Sequence, residues 1–307
     1  MKALVLSGGS IKGAFQAGAL KAVLKHGFVP EFIWGVSVGA LNGSFLADRA
    51  GKAGAAPDWP AIGGEIVDFW LENIKKPGDI VEQRTKSSIA WGTLRNRFRG
   101  FVKTDRLRKL LERTVSIKDI RRSPATFYAG VVNLADGRFF NADARFANLM
   151  DYIMASTAIP VVMPSVEVEG APLVDGGVRD IAPLRHAIAA GANEIVVVAC
   201  QPEQLEASAV NPKSLFSLID RVTDIMTDEI LQNDLKMASF VNTFTQENGE
   251  PATDGPFIGK RRIKITVIRP ARALAIDILD FDAAAIRELI ETGEFTAEFV
   301  LGNPSVG

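Results

Sequence analysis

Ser37 stands at the centre of a Gly-x-Ser-x-Gly, "GVSVG" at 35–39, within the longer stretch "FIWGVSVGALN". A serine in that frame suits an acyl-transfer nucleophile on a sharp strand-to-helix turn, where Gly35 and Gly39 keep strand and helix from colliding. Such a serine needs a base, and the chain has only two histidines. His26 ends a helical pattern beside Gly27, where the helix dipole favours a cation. His186 lies in a helical pattern after residue 183. Neither falls on a loop after a late strand, where a hydrolase triad puts its histidine. A carboxylate is the better candidate. "PLVDGGVRD" (172–180) sets Asp175 at the end of a short apolar run, and Gly176 and Gly177 let another group come close. An aspartate there can accept a serine proton, although Asp-Gly-Gly is also an ordinary turn.

A third element opens the chain. "SGGSIKG" (7–13) joins an apolar run to a helical pattern. The main-chain N–H groups of Gly8, Gly9, Ser10, Ile11, Lys12 and Gly13 would gather at a helix N-terminus, which suits an oxyanion. Lys12 adds positive potential. The stretch lacks the G-x-G-x-x-G spacing of a dinucleotide loop and the G-x-x-x-x-G-K-[ST] order of a phosphate loop.

These groups need a scaffold that aims them at one point. Short apolar runs at 3–7 and 31–35 read as strands, and 13–27 and 38–49 as helices. Strand, helix, strand, helix predicts an α/β fold in three layers, a mainly parallel central sheet flanked by helices. Residues 50–62 are rich in small residues and proline and read as a loop. Further strands are expected at 126–134 with a hairpin to 137–140, around a glycine turn in 165–177, and at 194–200 and 261–270. Further helices are expected through much of 63–122, at 145–158, 183–192 and 214–245, and last at 282–293, closed by Gly293. The tail after about 294 is expected to fray. A single domain over 1–307 is the expectation, with 50–125 as a helical, basic, cap-like insertion.

Composition excludes several classes. Of 307 residues, 47% are hydrophobic and 23% charged, as in an ordinary globular protein. One cysteine, Cys200, forbids an internal disulfide and fits a reducing compartment. "MKALVLSGGS" is too short in apolar residues for a signal peptide, and no run approaches a membrane span. The expectation is a cytoplasmic protein whose membrane contact, if any, is peripheral. Two histidines and one cysteine are too few and too scattered for a metal site, and no calcium loop is present. The net charge is −1, but 75–122 carries fifteen Lys or Arg against five acids. Trp91, Phe98 and Phe101 interleave with them. That segment is either a solvated helical surface or a dock for an anionic surface, most readily lipid headgroups. No nucleic acid is expected, because no binding motif accompanies the charge.

Together these motifs resemble the patatin-like phospholipase family. The glycine-rich loop at 8–13, "GVSVG" at 35–39, "ASTAIP" at 155–160, and "DGG" at 175–177 followed by "RDIAP" occur in the family's order. The resemblance implies a Ser-Asp dyad without histidine, with Ser37 as nucleophile, Asp175 as its base, and N–H groups around Gly9, Ser10 and Ile11 as the oxyanion hole. It also implies calcium-independent hydrolysis, with no cofactor and a lipid or acyl-ester substrate. Ser10 departs from the family's usual third glycine, which puts the hole's geometry in question. An ordinary aspartate titrates near about 3.9 and is a weak base at neutral pH, so the oxyanion donors are expected to carry much of the rate. The acyl groove is sought in 159–164 or among the Leu, Ile and Met residues of 214–245, segments whose default role is core packing. Beside a lipid acyl hydrolase stand a carboxylesterase for small soluble esters and a catalytically silent lipid- or protein-binding module.

Overall fold

A computed structural model describes residues 1–95, 97–207, 213, 215–245, 250–253, 258–259 and 261–303. The first half runs β1 (Lys2–Leu6), α1 (Gly13–Lys25), β2 (Phe32–Val36), α2 (Val38–Ala53), α3 (Trp59–Asn73), β3 (Glu82–Gln83), α4 (Lys86–Leu94), β4 (Val102–Lys103), α5 (Asp105–Thr114) and α6 (Ile117–Ile120). There follow β5 (Thr126–Asn133), β6 (Phe139–Asp143), α7 (Leu149–Ser156), β7 (Val166–Val168), β8 (Ala171–Asp175), α8 (Leu184–Ala189), β9 (Glu194–Val198), α9 (Leu215–Thr243), β10 (Lys264–Ile268) and α10 (Ala283–Gly302).

The apolar strands are apolar throughout because both their faces are covered. Along β1, Leu4 and Leu6 turn to one helical layer and Ala3 and Val5 to the other, the two-residue alternation of a strand. The first layer is built by α1, α2, α3 and α10. The second holds Leu184 and Ala187 of α8 and Leu231 and Ala238 of α9. The main sheet has the order β10-β9-β1-β2-β5-β8-β7, with β6 paired to β5. From β10 to β5 the neighbours are parallel, and β6, β7 and β8 pair antiparallel. The fold is therefore the expected three-layer α/β arrangement with a mainly parallel sheet.

One detail of the sheet matters most for the site. β2 lies against residues 126–130 of β5, and β8 lies against residues 131–133. Thr126 donates its N–H to Glu31 and Leu134 donates to Pro172. An even separation along a strand points backbone groups to the same edge, so β2 and β8 share one edge of β5. They meet tip to tip: β2 ends at Val36 opposite Gly130, and β8 ends at Asp175 opposite Val131.

Three expectations are corrected. The loop set at 50–62 shrinks to 54–58, because α2 continues to Ala53 and α3 begins at Trp59, where Asp58 accepts from the Ala61 N–H at 3.1 Å. Gly293 does not close the last helix, and the chain beyond 294 does not fray over the described residues. α10 runs on to Gly302. A Cβ on Gly293 would sit 1.9 Å from the Phe15 carbonyl oxygen, and one on Gly18 would sit 1.9 Å from that of Ile290. The glycine marks a close helix crossing between α1 and α10, and packing keeps the last turns ordered. Residues 304–307, and position 214 at the start of the ninth helical stretch, lie outside the described residues.

Candidate active site

Ser37 connects β2 to α2 with φ 55° and ψ −126°. A non-glycine residue in this region costs about 1–3 kcal/mol and must be held by its surroundings. The holding groups are visible. Its N–H donates to Ser156 Oγ at 2.9 Å, and that hydroxyl donates to the Gly130 carbonyl at 2.7 Å. The glycines two before and two after have the role assigned to them. A Cβ on Gly35 would fall 2.2 Å from the Gly39 carbonyl oxygen, and one on Gly39 would fall 2.3 Å from that of Leu6.

Asp175 ends β8 and is buried. Its Oδ1 accepts from the Gly177 N–H at 2.8 Å, and its own N–H donates to the Ala158 carbonyl at 3.0 Å. The Ser37 side chain lies close enough to the carboxyl to hold its pKa down. Burial raises its pKa to about 7, opposed by the hydrogen bonds from Ser37 and Gly177. The expectation of a carboxyl titrating at about 3.9 is thereby changed: burial raises it to about 7. Gly176 is required, since a Cβ there would meet the Gly130 carbonyl oxygen at 2.6 Å.

The loop after β1 forms a 3-10 turn, Ser10–Lys12, running straight into α1. Gly8 lies beside Ser37, where a Cβ would be 3.1 Å from that of the serine. The N–H groups of the loop divide into two sets. Gly8 donates to Ile181, Lys12 to Gly9, and Gly13 to Ile11 and Ser10. The N–H groups of Gly9, Ser10 and Ile11 are the leading donors of the turn, which by geometry have no acceptor within it. Ser10 takes φ 54°, the left-handed region that favours glycine, and its Oγ is buried with no hydrogen-bond partner. Lys12 does not point at the site alone: its Nζ pairs with Asp224 of α9 at 3.3 Å. Gly9 lets the loop press on the end of β9, since a Cβ would sit 2.3 Å from that of Cys200. The Cys200 thiol is buried, with its pKa pushed up to about 12 by that burial.

The histidines are elsewhere. His26 pairs with Glu298 at 2.5 Å, and His186 faces Asp180 at 3.3 Å with its ring against Phe139. A small apolar slot of about 40 Å³ opens beside Ser37 and Ser10. Ile159 and Met163, from one of the two expected acyl segments, line it, and among the described residues none of 214–245 does. Trp70, Ile80, Val81, Leu107 and Ile278 complete its walls, so the basic segment 75–122 helps to roof it.

Sequence reasoning missed the buried polar chain behind the loop. Gln16 donates to the carbonyls of Ser7 and Val198 at 2.8 and 3.1 Å. Asn42 donates to the Gly13 carbonyl and Gln16 Oε1 and accepts from Trp70 Nε1. All three residues are buried. Two polar residues on the apolar sides of helices, Gln16 in "GAFQAGAL" and Asn42 in "GALNGS", were the available signal.

The model of the family described as patatin-like phospholipase matches residues 4–188. The chain is 26% identical over 198 residues to lysophospholipase nte1 of Aspergillus terreus, covering 64% of this chain and 12% of that protein. It is 27% identical over 220 residues to the uncharacterized protein YjjU of Escherichia coli, covering 66% of this chain and 53% of that protein. The chain thus spans about an eighth of the length of the lysophospholipase it matches. Among solved structures, VipD from Legionella pneumophila aligns with a TM-score of 0.43 and 12% identity, over 98% of this chain and 66% of that one. With more than half of its length matched, and all four motifs inside the matched span, the chain belongs to the patatin-like phospholipase family.

Proposed function

We propose that the chain is a serine lipid acyl hydrolase that cleaves carboxylic esters of phospholipids or related acyl lipids through Ser37 and Asp175. What supports the reading is a strained elbow serine near a buried carboxyl, whose pKa is raised to about 7 by burial against the opposing effect of the serine side chain. In the first step Asp175 takes the hydroxyl proton as Ser37 Oγ attacks the ester carbonyl carbon. The N–H groups of Gly9, Ser10 and Ile11 donate to the oxyanion. The tetrahedral adduct collapses, the leaving alcohol takes the proton from Asp175, and an acyl-Ser37 ester remains. Water repeats the sequence, giving its proton to Asp175 and releasing the acid.

A fluorophosphonate probe tests the assignment. Folded protein should be labelled at Ser37, and Ser37→Ala should take no label and lose hydrolysis of a nitrophenyl acyl ester. Folded protein that takes no label would leave the silent binding module instead. The small slot favours a second reading, an esterase for small soluble esters. Turnover that rises from acetyl to long-chain nitrophenyl esters supports the lipid reading, and turnover that falls supports the small-ester one.

The basic segment 75–122 supports a peripheral contact with anionic lipid. No residue of α4 is buried, Trp91 and Leu94 are 56% and 77% exposed, and the Arg95 guanidinium lies over the Trp91 ring. Apolar side chains within a cationic surface suit the headgroup region of an anionic bilayer. Among the described residues no helix is long and apolar enough to cross a membrane.

A further inference from the structure

β10 is an outer strand of the sheet and pairs with β9 on one side. Lys264 donates its N–H to Asn193, and Ile268 accepts from the Ala199 N–H. The even-numbered residues therefore turn their backbone groups toward β9, and Ile265, Val267 and Arg269 turn theirs outward. Among the described residues no strand meets that outer side. One position earlier the edge is already engaged. Asn242 accepts from the Ile263 N–H at 2.9 Å and donates to the Ile263 carbonyl at 2.8 Å. Its amide makes the two bonds that a neighbouring strand would make, and then the ladder stops.

A groove of about 1010 Å³ follows this open edge. Its walls are α9, with Leu235 and Ser239, and α10, with Phe295 and Phe299, which are 74% and 51% exposed. Among the described residues, Lys264 and Arg269 line it together with one acid, Glu203. Glu194 takes up Lys264 at 3.1 Å and Glu203 reaches Arg269 Nη2 at 3.5 Å, but Arg269 Nη1 is buried with no hydrogen-bond partner. A buried guanidinium nitrogen without an acceptor is costly and invites an anion.

We propose that β10 accepts an added strand: an extended segment of a partner protein in which acidic residues alternate with apolar ones. The open N–H and C=O groups call for an occupant with donors and acceptors at strand spacing, about 3.4 Å per residue. An acyl chain has none. A second copy pairing edge to edge would set basic groups against basic groups, which is destabilising. An acidic segment offers Arg269 Nη1 the acceptor it lacks, and its apolar side chains have Phe295 and Phe299 to rest against.

The probe is a fluorescein-labelled peptide alternating Glu and Val, read by anisotropy against the whole chain. Saturable micromolar binding is expected, lost when alternate peptide amides are N-methylated and lost when Lys replaces Glu. Arg269→Gln should weaken binding about tenfold or more, the value of one charge-assisted hydrogen bond, with an unchanged melting temperature. Val267→Pro should abolish it; an edge strand tolerates proline where the lost N–H faces outward, and circular dichroism checks the fold. Should that variant fail to fold, the N-methylated peptide asks the same question of the native chain. Absence of saturable binding, or equal binding of the N-methylated peptide with displacement by oleate, would overturn strand addition. The first result leaves an edge merely guarded by charge, and the second an amphiphile site. Neither bears on Ser37 and Asp175.

Discussion

At the residue scale, the proposed chemistry would depend on one carboxyl, Asp175, made more basic by removal from water. Its folded-state pKa of about 7 lies above that of an exposed aspartate, so the native state holds the proton more tightly than the unfolded chain. By linkage, this group's contribution to stability is fully present below about pH 4 and is lost as pH rises toward about 7. Activity should run the opposite way, because only the ionised form takes the serine proton. The pH profile of kcat/KM should show an acid limb with an apparent pKa near 7. A limb near about 4, that of an unperturbed aspartate, would mean that the carboxyl is not buried when it works. Asp175→Asn keeps the shape and removes the base, and kcat should fall by about 10²–10⁴. The polar chain behind the loop makes a separate prediction. Asn42→Ala leaves Trp70 Nε1 and the Gly13 carbonyl without their buried partner. Denaturant unfolding should register a loss of about 1–3 kcal/mol for each group left unsatisfied.

Elements of the fold act here through how closely they approach. The elbow exists because β2 and α2 meet where only glycine fits at positions 35 and 39, and because Ser156 ties the turn to β5. The same device joins α1 to α10 through Gly18 and Gly293, each with a carbonyl of the other helix where its Cβ would be. Helix propensity alone predicts that Gly293→Ala stabilises α10 by about 0.5–1 kcal/mol. Overpacking against the Phe15 carbonyl acts the other way, by about 1–3 kcal/mol. The backbone at 1.9 Å cannot yield as a side-chain tip would, so the clash wins. The variant should melt at lower temperature than the wild type; a higher melting temperature would show that the two helices separate without cost.

For the whole molecule, charge is divided unevenly. The segment 75–122 holds fifteen cations and five acids in a chain of net charge −1. It also supplies Ile80, Val81 and Leu107 to the roof of the slot beside Ser37. A surface that binds anionic lipid and also covers the substrate slot would couple docking to access. Reversing Arg95, Arg97 and Arg99 to Glu should weaken partitioning onto anionic vesicles by roughly 10²-fold or more, at about 1 kcal/mol for each cation removed. The loss should shrink as salt is raised. Unchanged partitioning in sedimentation would remove the segment from lipid contact.

Much of this was legible in the residues. Short continuous apolar runs and Gly-bounded helical patterns mark the strands and helices, because both faces of a parallel strand are buried. Ser37, Asp175 and the glycine loop could be singled out because each chemistry restricts residue type within a few positions. The sequence did not reveal that Gly293 lies at a crossing, since a glycine that ends a helix and one that admits a neighbouring backbone look alike in one dimension. Nor did it show Gln16 and Asn42 bracing the loop, or Ser10 forced to positive φ. Above all, composition places an aspartate's pKa near about 4, whereas burial at the tip of β8, set end to end with β2 on one edge of β5, raises it to about 7. Local sequence marks the candidate groups; desolvation and proximity are properties of the assembled interior, so only the tertiary structure decides how basic one of them becomes.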